Sequence, residues 1–237
     1  MELNRYIDHT LLKADATPEQ IAKLCAEAKE YRFASVCVNS CYVPLAAKLL
    51  SGTDTKVCCV VGFPLGACLS EAKAAETRLA VEAGAEEVDM VINIGMAKAG
   101  DWDYVRKDIA AVVAAAHPKA IVKVIIECCL LTDDEKVTAC LTAKEAGADF
   151  VKTSTGYGTA GAKIADVALM RRTVSDRVRV KASGGIRNLD TVLSCRAVGA
   201  ARCGVSATEA IMEEAIRRER EGTLVMPENL TEMNGGY

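Results

Sequence analysis

The feature that most constrains this chain is a degenerate internal repeat. "EAGAEEVDMVINIG" begins at Glu82, "EAGADFVKTSTG" at Glu145 and "AVGAARCGVS" at Ala197. Each reads as a helix tail, a Gly-Ala stop and a short apolar strand ending in polar or glycine residues. Glycine just past a helix supplies the left-handed cap, and the valines and isoleucines that follow favour a strand. The marker glycines Gly84, Gly147 and Gly199 are separated by 63 and 52 residues, each enough for two strand–helix units of about 30 residues. Filling the intervals predicts strands near 6–10, 34–38, 56–62, 87–92, 121–127, 149–153, 178–182 and 201–204. Helices fall between them, with Thr17 before Pro18 opening the first and Thr132 capping "TDDEKVTACLTAKEAGA". Eight such units in 237 residues predict an α/β fold, a single-domain (β/α)8 barrel. An open doubly wound sheet is the alternative, but no Gly-rich dinucleotide fingerprint follows the first strand.

The barrel is expected over residues 1–222. Residues 223–237, "TLVMPENLTEMNGGY" with no helical or strand pattern, are set apart as a tail with the character of a flexible end. A net charge of −3 implies no broad basic face for nucleic acid, though a local pocket can still be positive. No apolar run reaches about 18 residues, so no membrane span is expected, and the charged "MELNRYIDHTLLK" is not a secretory leader. The cysteines number eleven, several adjacent inside apolar runs, as in "VCCVVGFP" and "VIIECCLL". Adjacent thiols make a poor disulfide framework, so a reduced, cytoplasmic protein is expected. Cys37 and Cys41 in "CVNSC" lack a matching second pair, and the two histidines, His9 and His117, add none, so no metal site is expected.

Barrel chemistry sits at the carboxyl ends of the strands, and strand side chains alternate between interior and helix-facing sides. With valines facing the helices, Asp89 in "VDMVI", Lys152 in "DFVKT" and Lys181 in "VRVKAS" all point inward. Burial and a second ammonium both disfavour a charged lysine. Bringing a lysine near neutrality takes about 3 pKa units, roughly 4 kcal/mol. The resulting amine attacks aldehydes and ketones, so the pair suits Schiff-base chemistry, with the aspartate holding the other lysine charged and moving protons. The bland alternative is a salt-bridged cluster that merely fills the barrel. Lys123 and Glu127 in "VKVIIE" share the inward parity. Lys123 comes early in its strand and reads as structural, while Glu127 is left open as a supporting residue. "KASGGIRN" and "RCGVSAT" follow the last two strands. Their glycines let backbone N–H groups approach an anion, and Ser206 would open the next helix, which points to a phosphorylated carbonyl substrate.

"IDHTLLK", "FASVCVNSCYV", "VVGFPLGA", "EEVDMVINIG", "ADFVKTSTGYG" and "VKASGGIR" together resemble the deoxyribose-phosphate aldolases, a family of class I (Schiff-base) aldolases, over almost the whole chain. The resemblance implies that Lys152 forms the Schiff base, that Lys181 perturbs it and assists proton transfer, and that Asp89 donates and accepts protons. It matches Gly184, Gly185, Gly204 and Ser206 to phosphate contacts and Thr155 to a substrate-side position, with Asp8 and Thr10 as supporting polar groups. The implied reaction is reversible cleavage of 2-deoxy-D-ribose 5-phosphate to glyceraldehyde 3-phosphate and acetaldehyde, without metal or organic cofactor.

Two positions depart from the pattern. Ala207 stands where many relatives have a second serine, and Tyr157 where some carry a lysine, so phosphate affinity or substrate preference is expected to differ. Tyr237 could fold a phenol over the barrel mouth, or simply belong to a disordered end. A catalytically silent sugar-phosphate-binding protein is the alternative function. Isomerases, epimerases and metal-dependent aldolases are disfavoured by scarce histidine and the lysine pair. A homodimer is the default from symmetry statistics.

Overall fold

The computed structural model describes residues 2–227 and 229–230. Its chain order is β1 (Ile7–Leu11), α1 (Pro18–Tyr31), β2 (Ser35–Val38), α2 (Val43–Leu50), β3 (Lys56–Val61), α3 (Ser70–Glu82), β4 (Glu87–Val91), α4 (Ile94–Lys98), α5 (Trp102–Ala116), β5 (Ile121–Ile125), α6 (Asp133–Glu145), β6 (Phe150–Lys152), α7 (Ile164–Val174), β7 (Arg179–Ser183), α8 (Leu189–Ala197), β8 (Ala200–Val205) and α9 (Thr208–Arg220). All eight strands are parallel, each pairs with its sequence neighbour, and β8 closes on β1. The (β/α)8 barrel is thus observed, with strand bounds within one residue of those expected except at β5, which ends at Ile125, two residues early.

The three marker glycines adopt φ of 111°, 89° and 100° at Gly84, Gly147 and Gly199, as the helix-to-strand turn requires. Thr17 caps α1 reciprocally with Gln20, and Thr132 caps α6 reciprocally with Glu135. One face of each strand then packs outward. Val36, Val57, Val88, Val122, Val151 and Val180 are buried in the core between barrel and helices. Each such side chain contributes roughly 1.5–3 kcal/mol of apolar burial. The opposite parity is therefore left for the interior, where polar residues collect.

Ser206 precedes the helix expected to begin with it: Ala207 is the N-cap residue and α9 starts at Thr208. In the expected tail, residues 223–227 carry no helix or strand, and Leu224 packs against the core. Tyr237 lies outside the described residues. Among the described residues no helix is long and apolar enough to cross a membrane.

Candidate active site

Strand closure brings Asp89, Lys152 and Lys181 together inside the barrel. Asp89 Oδ2 accepts from Lys152 Nζ at 2.8 Å and from Lys181 Nζ at 2.7 Å. Lys152 and Lys181 are register partners on β6 and β7, which is why one carboxylate oxygen serves both. All three residues are buried.

Two supporting residues engage the trio directly. Lys123 is the register partner of Asp89, two residues below the level of Lys152, and its Nζ donates to Asp89 Oδ1 at 2.8 Å. Asp8 sits against Lys181, Oδ2 to Nζ 2.6 Å. Thr10, paired with Asp8 in the expectation, is more distant, its hydroxyl donating to the Asp8 carbonyl at 2.9 Å.

The residue analysis missed Arg202 and Glu87. Arg202 on β8 pairs with Asp8 on β1 and reaches across the barrel floor to Glu87 on β4 at 2.8 Å, while Glu87 also meets Lys123 at 2.6 Å. The available signal was parity, since Arg202 stands two residues before Gly204 in β8. Another omission is Gly161, where a Cβ would come within 2.2 Å of the Gly184 carbonyl oxygen. This close approach lets Ala162 N donate to Ser183 O at 3.0 Å, joining the loop after β6 to the end of β7.

The cluster is strongly ionised. Burial opposes the charged form of Asp89, but Lys123, Lys152 and Lys181 outweigh it and hold the carboxyl well below the usual range. Burial likewise opposes Asp8, and Lys181, Arg202 and Lys123 bring it down. For Lys181, desolvation is overcome by Asp8 and Asp89, and for Lys123 chiefly by Asp89, so both ammoniums are held above their ordinary range.

Above the cluster opens a cavity of about 270 Å³. Its wall includes Lys152, Thr10, Thr155, Gly184, Gly185, Gly204 and Ser206, so each of the expected phosphate and substrate-side positions faces the same space as Lys152. Gly184 and Gly185 have φ of 84° and 75°, and a Cβ at Gly204 would lie 3.3 Å from Lys181 Cε. Glu127, left open from the sequence, anchors the loop above β6, its carboxylate accepting from both the N–H and the hydroxyl of Thr155.

Cys37 is buried and Cys41 exposed, so the "CVNSC" pair does not converge. Cys37, Cys58 and Asp89 do lie within 4.8 Å of one another. However, both Asp89 oxygens already face ammonium groups, and Cys58 Sγ lies 3.4 Å from Lys123 Nζ. Three lysine side chains about one carboxylate make this a poor setting for a cation.

A family of sequences described as DeoC/LacD family aldolases matches residues 3–213. The deoxyribose-phosphate aldolase of Clostridium tetani is 60% identical over 215 residues, covering 91% of this chain and 100% of its own length. That of Streptococcus gordonii is 60% identical over 213 residues, covering 90% and 96%. Among solved structures, the tetrameric deoxyribose phosphate aldolase of Aeropyrum pernix superposes with a TM-score of 0.84 at 33% identity, covering 91% of each chain. With a family match over most of the chain and relatives at 60% identity, the chain belongs to the DeoC/LacD family of aldolases.

Proposed function

We propose that this enzyme cleaves 2-deoxy-D-ribose 5-phosphate reversibly to glyceraldehyde 3-phosphate and acetaldehyde through a Schiff base on Lys152. The observation that carries this reading is the place of Lys152, whose amine is hydrogen-bonded to Asp89 below and whose side chain lines the cavity above. A charge count supports it. Asp8, Glu87 and Asp89 supply three negative charges, and Lys123, Lys181 and Arg202 three positive ones. Lys152 is the fourth basic group on a cluster with three carboxylates, and a surplus buried charge is costly.

Lys152 Nζ attacks C1 of the open-chain sugar, and loss of water gives an iminium. Removal of the C3 hydroxyl proton breaks the C2–C3 bond, with the iminium accepting the electron pair, and releases glyceraldehyde 3-phosphate. The enamine left behind is protonated at C2, and hydrolysis frees acetaldehyde and the amine. Asp89 and Lys181 are the proton carriers beside Lys152, while Gly184, Gly185, Gly204 and Ser206 receive the phosphate and Thr155 the sugar. Asp8 keeps Lys181 charged. With its cysteines free, we assign the protein to the reducing cytoplasm, and a homodimer by symmetry default.

The test is borohydride reduction in the presence of 2-deoxyribose 5-phosphate, followed by peptide mass spectrometry. An adduct on Lys152, absent from Lys152→Ala, is expected. Binding of the sugar phosphate with neither turnover nor adduct would instead support the silent binding protein.

A further inference from the structure

A hydrogen-bonded strap crosses the cavity mouth, and the carbon–carbon chemistry alone does not explain it. It begins at the buried Glu127 carboxylate, which holds Thr155. The Thr155 hydroxyl oxygen accepts from Tyr157 N–H at 3.0 Å. The Tyr157 phenol then donates to the Leu12 carbonyl at 2.8 Å, joining residues 145 apart in the chain. Its ring is braced edge-on by Phe63, centroids 5.4 Å apart. The strap therefore ties the β6 loop to the β1 loop one residue before Lys13.

Lys13 and Arg187 are exposed and line the same cavity as the Gly184–Gly185 turn and Ser206. Among the described residues, neither takes part in an ion pair. Lys98, Lys107 and Arg217 each sit 2.6–2.8 Å from a carboxylate, whereas Lys13 and Arg187 face the cavity with their charge uncommitted. The glycine turns offer backbone N–H groups but no charge, whereas a sugar phosphate near neutral pH carries close to two negative charges. Two unpaired cations beside those turns match that requirement.

We infer that Lys13, held at the rim by the Tyr157–Leu12 clasp, is a specificity-determining residue that selects a phosphorylated over a neutral sugar. This rests on the phosphorylated-substrate reading given above. Tyr157 acts through the Leu12 carbonyl, as a positioning residue, and touches the phosphate only indirectly.

Lys13→Met, Lys13→Arg and Tyr157→Phe are to be compared with the wild type on 2-deoxyribose 5-phosphate and on 2-deoxyribose. Lys13→Met is expected to lower the ratio of the two kcat/KM values about tenfold, through KM on the phosphorylated sugar, as for loss of one charge-assisted contact. Lys13→Arg should restore most of the ratio. Tyr157→Phe, which keeps the ring on Phe63, should lower it about threefold. An unchanged ratio in Lys13→Met, or an equal loss on both sugars, overturns the inference. Calorimetric affinity for inorganic phosphate is measured in parallel because it needs no turnover. A wild type that cleaves neither sugar overturns the aldolase reading. In that case phosphate affinity weakened by Lys13→Met sustains the role of Lys13, and affinity unchanged by it overturns that role too.

Discussion

Of the lysines buried against aspartates, Lys73 and Lys152 make the clearest contrast, because only Lys152 opens onto the cavity. Lys73 on α3 lies between helices, its Nζ 2.6 Å from Asp108 on α5 and 2.9 Å from the Val91 carbonyl. Ser70 donates to the other Asp108 oxygen at 2.8 Å, so one cation meets one anion and each has further partners. Lys73 and Asp108 are both fully buried. Lys152 differs in two respects: its carboxylate is shared with Lys123 and Lys181, and it faces a cavity. Burial of a lysine is therefore not what marks the site. A surplus of cations around shared carboxylates, together with access for a carbonyl, is.

The sharpest way to break this comparison is to remove each lysine in turn. Lys152→Ala is expected to abolish the trapped adduct and reduce kcat by about a thousandfold or more, with the thermal midpoint little changed. Lys73→Met should do the opposite, stranding Asp108 and costing about 3–5 kcal/mol in denaturant unfolding while the folded fraction keeps its kcat. Loss of turnover without loss of stability in Lys73→Met would erase the distinction.

Asp89→Asn tests the shared carboxylate. It removes the anion that the three lysine amines share, so turnover is expected to fall about 10²–10⁴-fold and stability by about 3–5 kcal/mol, read by steady-state kinetics and urea unfolding. Arg202→Met tests the ion network from a distance. It strands the Asp8 and Glu87 carboxylates, so urea unfolding should show a loss of about 3–5 kcal/mol, with kcat of the folded enzyme falling less than in Asp89→Asn. Unchanged stability would show that the network across the barrel floor is not what holds the cluster.

The smallest expected effect is on the pH range of stability. Asp8 and Asp89 ionise more readily folded than unfolded, so their contribution is present above about pH 4 and lost as pH falls through their depressed values. Lys123 and Lys181 hold their protons more tightly folded, so theirs is present below about pH 10.4 and lost as pH rises through the raised values. Urea midpoints should therefore be nearly flat between these limits, and a steep slope near pH 7 would contradict the assignment.

Strand positions were legible because Gly84, Gly147 and Gly199 each need a positive φ at a helix-to-strand turn, and because valines alternate with the inward residues. That alternation also exposed Asp89, Lys152 and Lys181. It also puts Arg202 on the inward side, but could not reveal the reach of its side chain across the barrel to Glu87, nor how directly Asp8 engages Lys181. Those contacts depend on closure of β8 against β1 and on side-chain reach, neither of which is a local property of the chain. The contact of Lys123 with Asp89 was not legible for a related reason: the sequence indicates order along one strand but not its level against the next.

The Arg202–Asp8 contact also bears on how the molecule is assembled. Asp8 lies in the first barrel strand, and its partners Lys181 and Arg202 lie in the last two. These contacts join opposite ends of the barrel sequence, so their loop-closure cost is among the largest in the fold, and a chain cut before Arg202 would leave the Asp8 carboxylate to find water in place of the guanidinium.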